Sequence, residues 1–202
     1  MIDPARRSGA AARAAVRRGA LVILAAAGIV LAGCGSAPGP TSTLPPGGGP
    51  SAAPVAVDAS LLELLPPMVD GLDRQTQPDV DADLAADPSL ASVATALATA
   101  LYADPATGDF AYVAVVRLAD PMTDAAYRDW RDTFDEGACG QAGGVSGHAE
   151  TAIGGHDTYI GTCGAGIRTY HTTVDDGTVL ISVSSLGETR RLGELVIETL
   201  PG

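Results

Sequence analysis

Between Gly35 and Pro54, eleven of twenty residues are glycine or proline and none is charged. Such a stretch has no apolar periodicity and nothing with which to build a core, so it divides the chain into parts that must be read separately. On its N-terminal side, residues 1–20 carry five arginines, and Ala20–Ala32 is an uncharged, largely apolar run of 13 residues. On its C-terminal side, residues 58–202 amount to 145 residues, the size of one ordinary domain. Residues 34–57 therefore read as a tether, reaching on the order of 25 Å as a coil and about twice that when extended.

A 13-residue apolar run is too short to cross a bilayer core of about 30 Å as a helix, but it suits the hydrophobic region of an export signal. It ends in Leu31-Ala32-Gly33-Cys34, which resembles at all four positions the lipobox of bacterial lipoproteins. The resemblance implies that residues 1–33 are a signal peptide, cut just before Cys34, and that the Cys34 thiol receives a diacylglyceryl group. Acyl chains such as palmitate would then hold the protein on the extracytoplasmic side of the cell membrane, each buried CH₂ contributing about 0.8 kcal/mol. Arg6-Arg7 stands too far from the apolar run, and is followed by the wrong residues, to match a twin-arginine signal. The general secretory route is expected.

Charge narrows the function classes. All twelve basic residues are arginine. Without lysine there is no Walker A loop, no Ser-x-x-Lys acylation site and no Schiff-base amine. A chain rich in Ala, Gly, Pro and Arg but lacking Lys has the composition expected of a GC-rich genome. Loss of residues 1–33 would leave seven basic and 23 acidic residues, a net charge of −16. That disfavours nucleic acid as a partner and repels an anionic lipid surface.

Within residues 58–202, Asp58 is placed to cap a short helix over Ala59–Leu65 that Pro66-Pro67 ends, and a strand is expected around Met68–Gln75. Asp87-Pro88, followed by Leu90, Val93, Leu97 and Leu101 at helical spacing, predicts a helix to Tyr102. Phe110–Leu118 reads as a central strand, apolar on both faces. Asp120-Pro121 repeats the capping signal before a helix with Met122, Tyr127, Trp130 and Phe134 on its core face. Gly154-Gly155 and Asp175-Asp176-Gly177 each join two alternating segments as hairpins, and a last helix spans Glu188–Leu200 with Leu192, Leu195, Val196 and Leu200 inward. The expected fold is α+β: a single domain with an antiparallel sheet of four to five strands and helices packed on one face.

Cys139 and Cys163 are the thiols left once Cys34 is lipidated, and in an exported protein they are expected to form a disulfide. Their spacing does not suit a redox pair, which usually has two residues between its cysteines. His148, His156 and His171 lack the HExxH spacing of a zinc site, and His148-Ala149-Glu150 lacks the P-C-x-x-C half of a zinc deaminase. Asp79, Asp81, Asp83 and Asp87 mimic part of an EF-hand loop, but Leu84 and Leu90 stand where glycine and glutamate are needed. An acidic helix start explains them as well. Ser146 lies outside any G-x-S-x-G elbow, and Ser182, Ser184 and Ser185 belong to a strand. No catalytic residue, metal or cofactor is assigned.

The run Leu64-Leu65-Pro66-Pro67-Met68-Val69-Asp70-Gly71, with an α+β domain behind a Gly/Pro tether, resembles small surface lipoproteins of GC-rich bacteria that have no assigned activity. The expectation is a membrane-anchored, non-catalytic binding or envelope-interaction module with an unknown protein or small-molecule partner. The alternative is an extracytoplasmic hydrolase or metal-dependent enzyme using the glycine-rich region from Gly140 to Gly166. The two part on geometry: convergence of the three histidines with an acid in one pocket favours the enzyme, and their scatter removes it.

Overall fold

The computed structural model describes residues 54–187 and 190–201, so the apolar run Ala20–Ala32, Cys34 and most of the Gly/Pro stretch lie outside the described residues. In chain order the elements are β1 (Ala56–Val57), β2 (Met68–Val69), β3 (Leu72–Asp73), β4 (Gln75–Thr76), α1 (Pro78–Ala85), β5 (Ala94–Ala103), β6 (Phe110–Leu118), α2 (Asp124–Cys139), β7 (Val145–Ile153), β8 (His156–Cys163), β9 (Ile167–Val174), β10 (Val179–Leu186) and α3 (Leu192–Glu198). Short 3-10 turns occupy Ala59–Leu64 and Leu90–Ser92.

Eight strands make one sheet in the order β1-β5-β6-β10-β9-β8-β7, with β4 also on β5. β1 joins β5 in parallel and the other pairings are antiparallel, so the sheet is mixed and larger than the expected four to five antiparallel strands. Helices cover both faces, not one. The turn at Ala59–Leu64 and α3 bury Leu61, Leu62, Leu192, Val196 and Ile197 against Ala98, Val113, Val115, Ile181 and Val183. On the opposite face, α1 and α2 pack Leu84, Tyr127 and Trp130 over Leu97, Val116 and Leu180. Cover on two sides is why β6, and β10 over Val179–Ile181, are apolar at successive positions. Each fully buried Val, Leu or Ile contributes about 1.5–3 kcal/mol.

The segment expected to be a helix through Tyr102 is instead β5. Its capping signal is real: Asp87 Oδ1 accepts hydrogen bonds from the Ser89 amide at 2.8 Å and hydroxyl at 2.7 Å. The chain makes only one 3-10 turn before Val93 and then extends. A helix would bury a single stripe of this sequence, whereas a strand puts Ala96, Ala98, Ala100 and Tyr102 on one covered face and Leu97 and Thr99 on the other. Pairing along β6 from Ala94↔Leu118 to Ala103↔Phe110 satisfies the backbone. Alanine's helix propensity is worth only tenths of a kcal/mol per residue against that burial.

Elsewhere the local signals hold, with small displacements. Asp58 caps the Ala59–Leu64 turn through Ser60. Thr123, not Asp120, caps α2, accepting from the Ala126 amide at 3.3 Å. Both hairpin turns fall where expected, and Asp175, Asp176 and Gly177 all take positive φ, with glycine closing the turn. The Met68–Gln75 segment forms the small β2–β3 hairpin and β4 in place of one strand.

Candidate functional site

α2 crosses the sheet face formed by β5, β6, β10, β9 and β8, and two different environments lie beneath it. Along its first three turns, α2 stands apart from α1 and the Leu90–Ser92 turn, leaving an open groove of about 510 Å³. Leu97, Thr99, Tyr112, Ala114 and Val116 floor it; Leu84, Leu90 and Val93 form one wall, and Met122, Ala126, Trp130 and Phe134 the other. The polar groups are few: Asp87 and Ser89 on one side, Asp129 and Thr133 on α2, and the Thr99 and Tyr112 hydroxyls at the floor. Burial, only partly offset by a hydrogen bond with Thr99 and reinforced by the nearby Asp81 charge, pushes the Tyr112 phenol up to about 12. It stays a neutral hydroxyl at physiological pH.

Asp81 supports that floor. It is buried on α1, and its Oδ1 accepts from both the amide and the hydroxyl of Thr99 at 2.6 Å. Of the acidic run, Asp79 and Asp83 stay exposed while Asp81 turns in, so these side chains do not share a loop as cation ligands would. Among the described residues no group of three or more His, Cys, Asp or Glu side chains is arranged to hold a metal ion.

Under the middle of α2 runs a buried polar chain. Trp130 Nε1 donates to Ser182 Oγ at 2.9 Å, Ser182 Oγ lies 3.0 Å from His171 Nδ1, and His171 Nε2 lies 2.9 Å from Asp135 Oδ1. Placing the imidazole hydrogen on Nε2 gives every proton one acceptor: indole to hydroxyl, hydroxyl to Nδ1, Nε2–H to carboxylate. Ser182 and His171 are direct cross-strand partners on β10 and β9, which sets the chain's register. Burial alone would raise the Asp135 carboxyl, but hydrogen bonding from His171, with the Thr169 hydroxyl, His171 and His148 close by, holds it below the ordinary carboxylate range. Neither Asp135 Oδ2 nor Thr169 Oγ1 has a fully formed hydrogen bond among the described residues. Both sit against Gly161, where a Cβ would lie 2.6 Å from Oδ2 and closer still to Oγ1. Only glycine leaves room there for α2 to lower a carboxylate onto the sheet.

The order Asp–His–Ser invites comparison with a nucleophilic triad. Ser182 and His171 are fully buried, however, and the Ser182 hydroxyl is already engaged by both Trp130 and His171. A nucleophile must meet its substrate, and none of these three polar residues lines the groove. The chain instead pins the groove's aromatic wall: Trp130 is held through its indole N–H, and Phe134 sits edge-on to the His171 ring at 5.1 Å.

This chain matches no family model, no curated protein and no solved structure. The reading of its site therefore rests on its own residues.

The three histidines separate by strand parity. His148, on β7 opposite Gly161, brings Nε2 to 3.8 Å from Asp135 Oδ2 and shares an acid with His171. His156 starts β8 on the other face and reaches the Leu200 carbonyl at 3.4 Å. Ser146 bonds the Thr162 carbonyl. Ser184 and Ser185 are buried strand residues, with Ser185 Oγ 3.5 Å from the Arg168 carbonyl. The glycine-rich region supplies a second hollow at Glu150–Ala152 and Asp157–Tyr159, against Tyr127. Beside it the Arg131 guanidinium stacks 3.5 Å over the Tyr159 ring, a contact worth about 0.5–2 kcal/mol.

Cys139 and Cys163 form a disulfide, with Cα atoms 5.2 Å apart. It joins the last residue of α2 to the end of β8. Asp135, Gly161, Arg131 and Thr169 were not singled out in the sequence. Their signal is faint: Tyr127, Arg131 and Asp135 recur every four residues, a second stripe beside the aromatic one.

Proposed function

We propose that this protein is a lipid-anchored, extracytoplasmic binding protein whose folded domain receives a small apolar molecule in the groove between α1 and α2. The groove itself carries the reading. Its volume falls within the few hundred to about 1,000 Å³ of small-molecule sites, its lining is mostly apolar and aromatic, and a few polar groups stand at its floor and rim. The polar chain from Trp130 to Asp135 and the disulfide hold its α2 wall in place, the kind of preorganisation that makes binding less costly. The Leu31–Cys34 tetrapeptide supports the anchor. A tether of the length and composition of residues 35–54 would keep the groove within tens of ångströms of a bilayer surface, where apolar molecules concentrate.

Trp130 is the chain's sole tryptophan and lines the groove, so its emission reports occupancy. Titration with 1-N-phenylnaphthylamine is expected to change Trp130 emission saturably. Ala126→Phe, which fills the groove from the α2 side, should weaken binding at least roughly tenfold while leaving the thermal midpoint near that of the parent. Equal binding by the parent and Ala126→Phe proteins would place the probe elsewhere and end the groove reading.

The anchor has a separate test. Cys34→Ala is expected to release the protein from the membrane fraction in cells and to remove the acyl mass from the intact protein. Unchanged retention and unchanged mass would rule it out.

A further inference from the structure

The rim of the groove carries charge of one sign. Asp87 stands in the turn after α1 and Asp129 faces it from α2, while no arginine is among the lining residues and the chain has no lysine. Asp87 is a settled carboxylate: the Ser89 hydroxyl and amide hold it below the usual carboxylate range. Both of those hydrogen bonds go to Oδ1, leaving Oδ2 without one among the described residues. Asp129 forms no ion pair among the described residues, and its neighbour Arg128 is engaged at the Asp124 carbonyl. Between the two acids lies an apolar trough of low dielectric, which strengthens their field at the mouth.

From this we infer that the groove prefers single-chain amphiphiles with a cationic head, the chain lying along Leu97, Val116, Met122 and Trp130 and the head held between Asp87 and Asp129. The inference rests on the groove reading above and adds the class of ligand. Anionic amphiphiles of equal chain length, fatty acids included, meet the same apolar wall but are repelled at both rims. Chain burial is common to all such ligands, so the rim decides among them.

The test compares decyltrimethylammonium, decanol and decanoate, each below its micellar concentration, through Trp130 emission. The cation is expected to bind roughly tenfold or more tighter than decanoate at low salt, with decanol between them, and the spread should shrink at high ionic strength. In the Asp87→Asn/Asp129→Asn double variant, decanol affinity should stay unchanged while the cation's advantage over decanoate falls to a factor of about two or three. If the parent protein binds decanoate as tightly as the cation, the inference is overturned while the groove reading stands. If the preference survives intact in the double variant, the protein's overall negative charge produces it and the rim assignment is wrong. If none of the three compounds binds, the groove reading falls and the inference with it.

Discussion

His171→Ala is expected to lower the domain's stability by about 3 kcal/mol or more, because it removes the imidazole N–H that satisfies Asp135 Oδ1 and leaves a buried carboxylate short of a donor beneath α2. For a domain of this size that corresponds to a fall of about 10–15 °C in the thermal midpoint, measurable by circular dichroism. The same pair fixes a dependence on pH. The Asp135 carboxyl lies lower in the folded protein than in the unfolded chain. Its contribution is therefore complete above the unfolded value of about 3.9 and is lost as pH falls through the folded one. Asp135→Asn keeps the shape but not the charge, so the stability difference between parent and variant should narrow as pH drops from about 5 towards 3. Urea unfolding across that range checks it, and a gap independent of pH would contradict the role assigned to Asp135.

The second large effect is expected at the disulfide. Paired Cys139→Ser and Cys163→Ser substitutions should cost about 3.5 kcal/mol, the chain-entropy value for a closed loop of about 25 residues. The consequence reaches beyond stability, since the bond ties the C-terminal end of α2 to β8 while the groove lies under the helix's first three turns. With the polar chain intact in the middle of the helix, the protein lacking this disulfide should unfold at a lower denaturant concentration yet keep Trp130 packed against Ser182 when folded. Equal denaturant midpoints for the two proteins would show that the bond contributes nothing to stability. A red shift of Trp130 emission in the folded variant would show that the bond, more than the polar chain, positions the groove wall.

Much of the fold is legible in the residues because several of its rules are local. Phe110–Leu118 carries apolar side chains, many of them β-branched or aromatic, on both faces, as a covered strand requires. Gly154-Gly155 and Asp175-Asp176-Gly177 adopt backbone conformations that other residues resist, so both hairpins announce themselves. Ala94–Ala103 does not. Its alanines and leucines fit a helical stripe, and its Asp87 cap is formed as a helix would form it. What makes it a strand is β6 alongside and the short helices above and below, none of which lies within the segment. β1 and β4, two residues each, have no period to detect and are strands only because β5 presents an edge to them.

The site divides in the same way. Trp130, Phe134, Tyr127 and Met122 could be named as one helical stripe, because spacing on a helix is a property of the chain. That this stripe leaves a groove instead of closing a core depends on how far α1 stands from α2, which no local pattern encodes. His171 and Ser182 meet because β9 and β10 pair at that register, and Asp135 reaches them because Gly161 leaves the space. A shift of one residue would turn His171 to the other face and dissolve the chain.

By itself, the sequence determined the properties that depend on composition and short range: a lysine-free acidic domain, the Gly/Pro-rich stretch before it, the paired cysteines, the hairpin turns and the apolar stripes. The tertiary structure alone decided that β5 is a strand, that the sheet has eight strands with helices on both faces, and that Asp135, His171 and Ser182 are buried beneath the same helix that walls a groove. The reason is range. Caps, turns and charge are set by neighbours within a few residues, whereas burial and side-chain meeting depend on surfaces contributed by segments far apart in the chain, as Trp130 and Ser182 are at 52 residues.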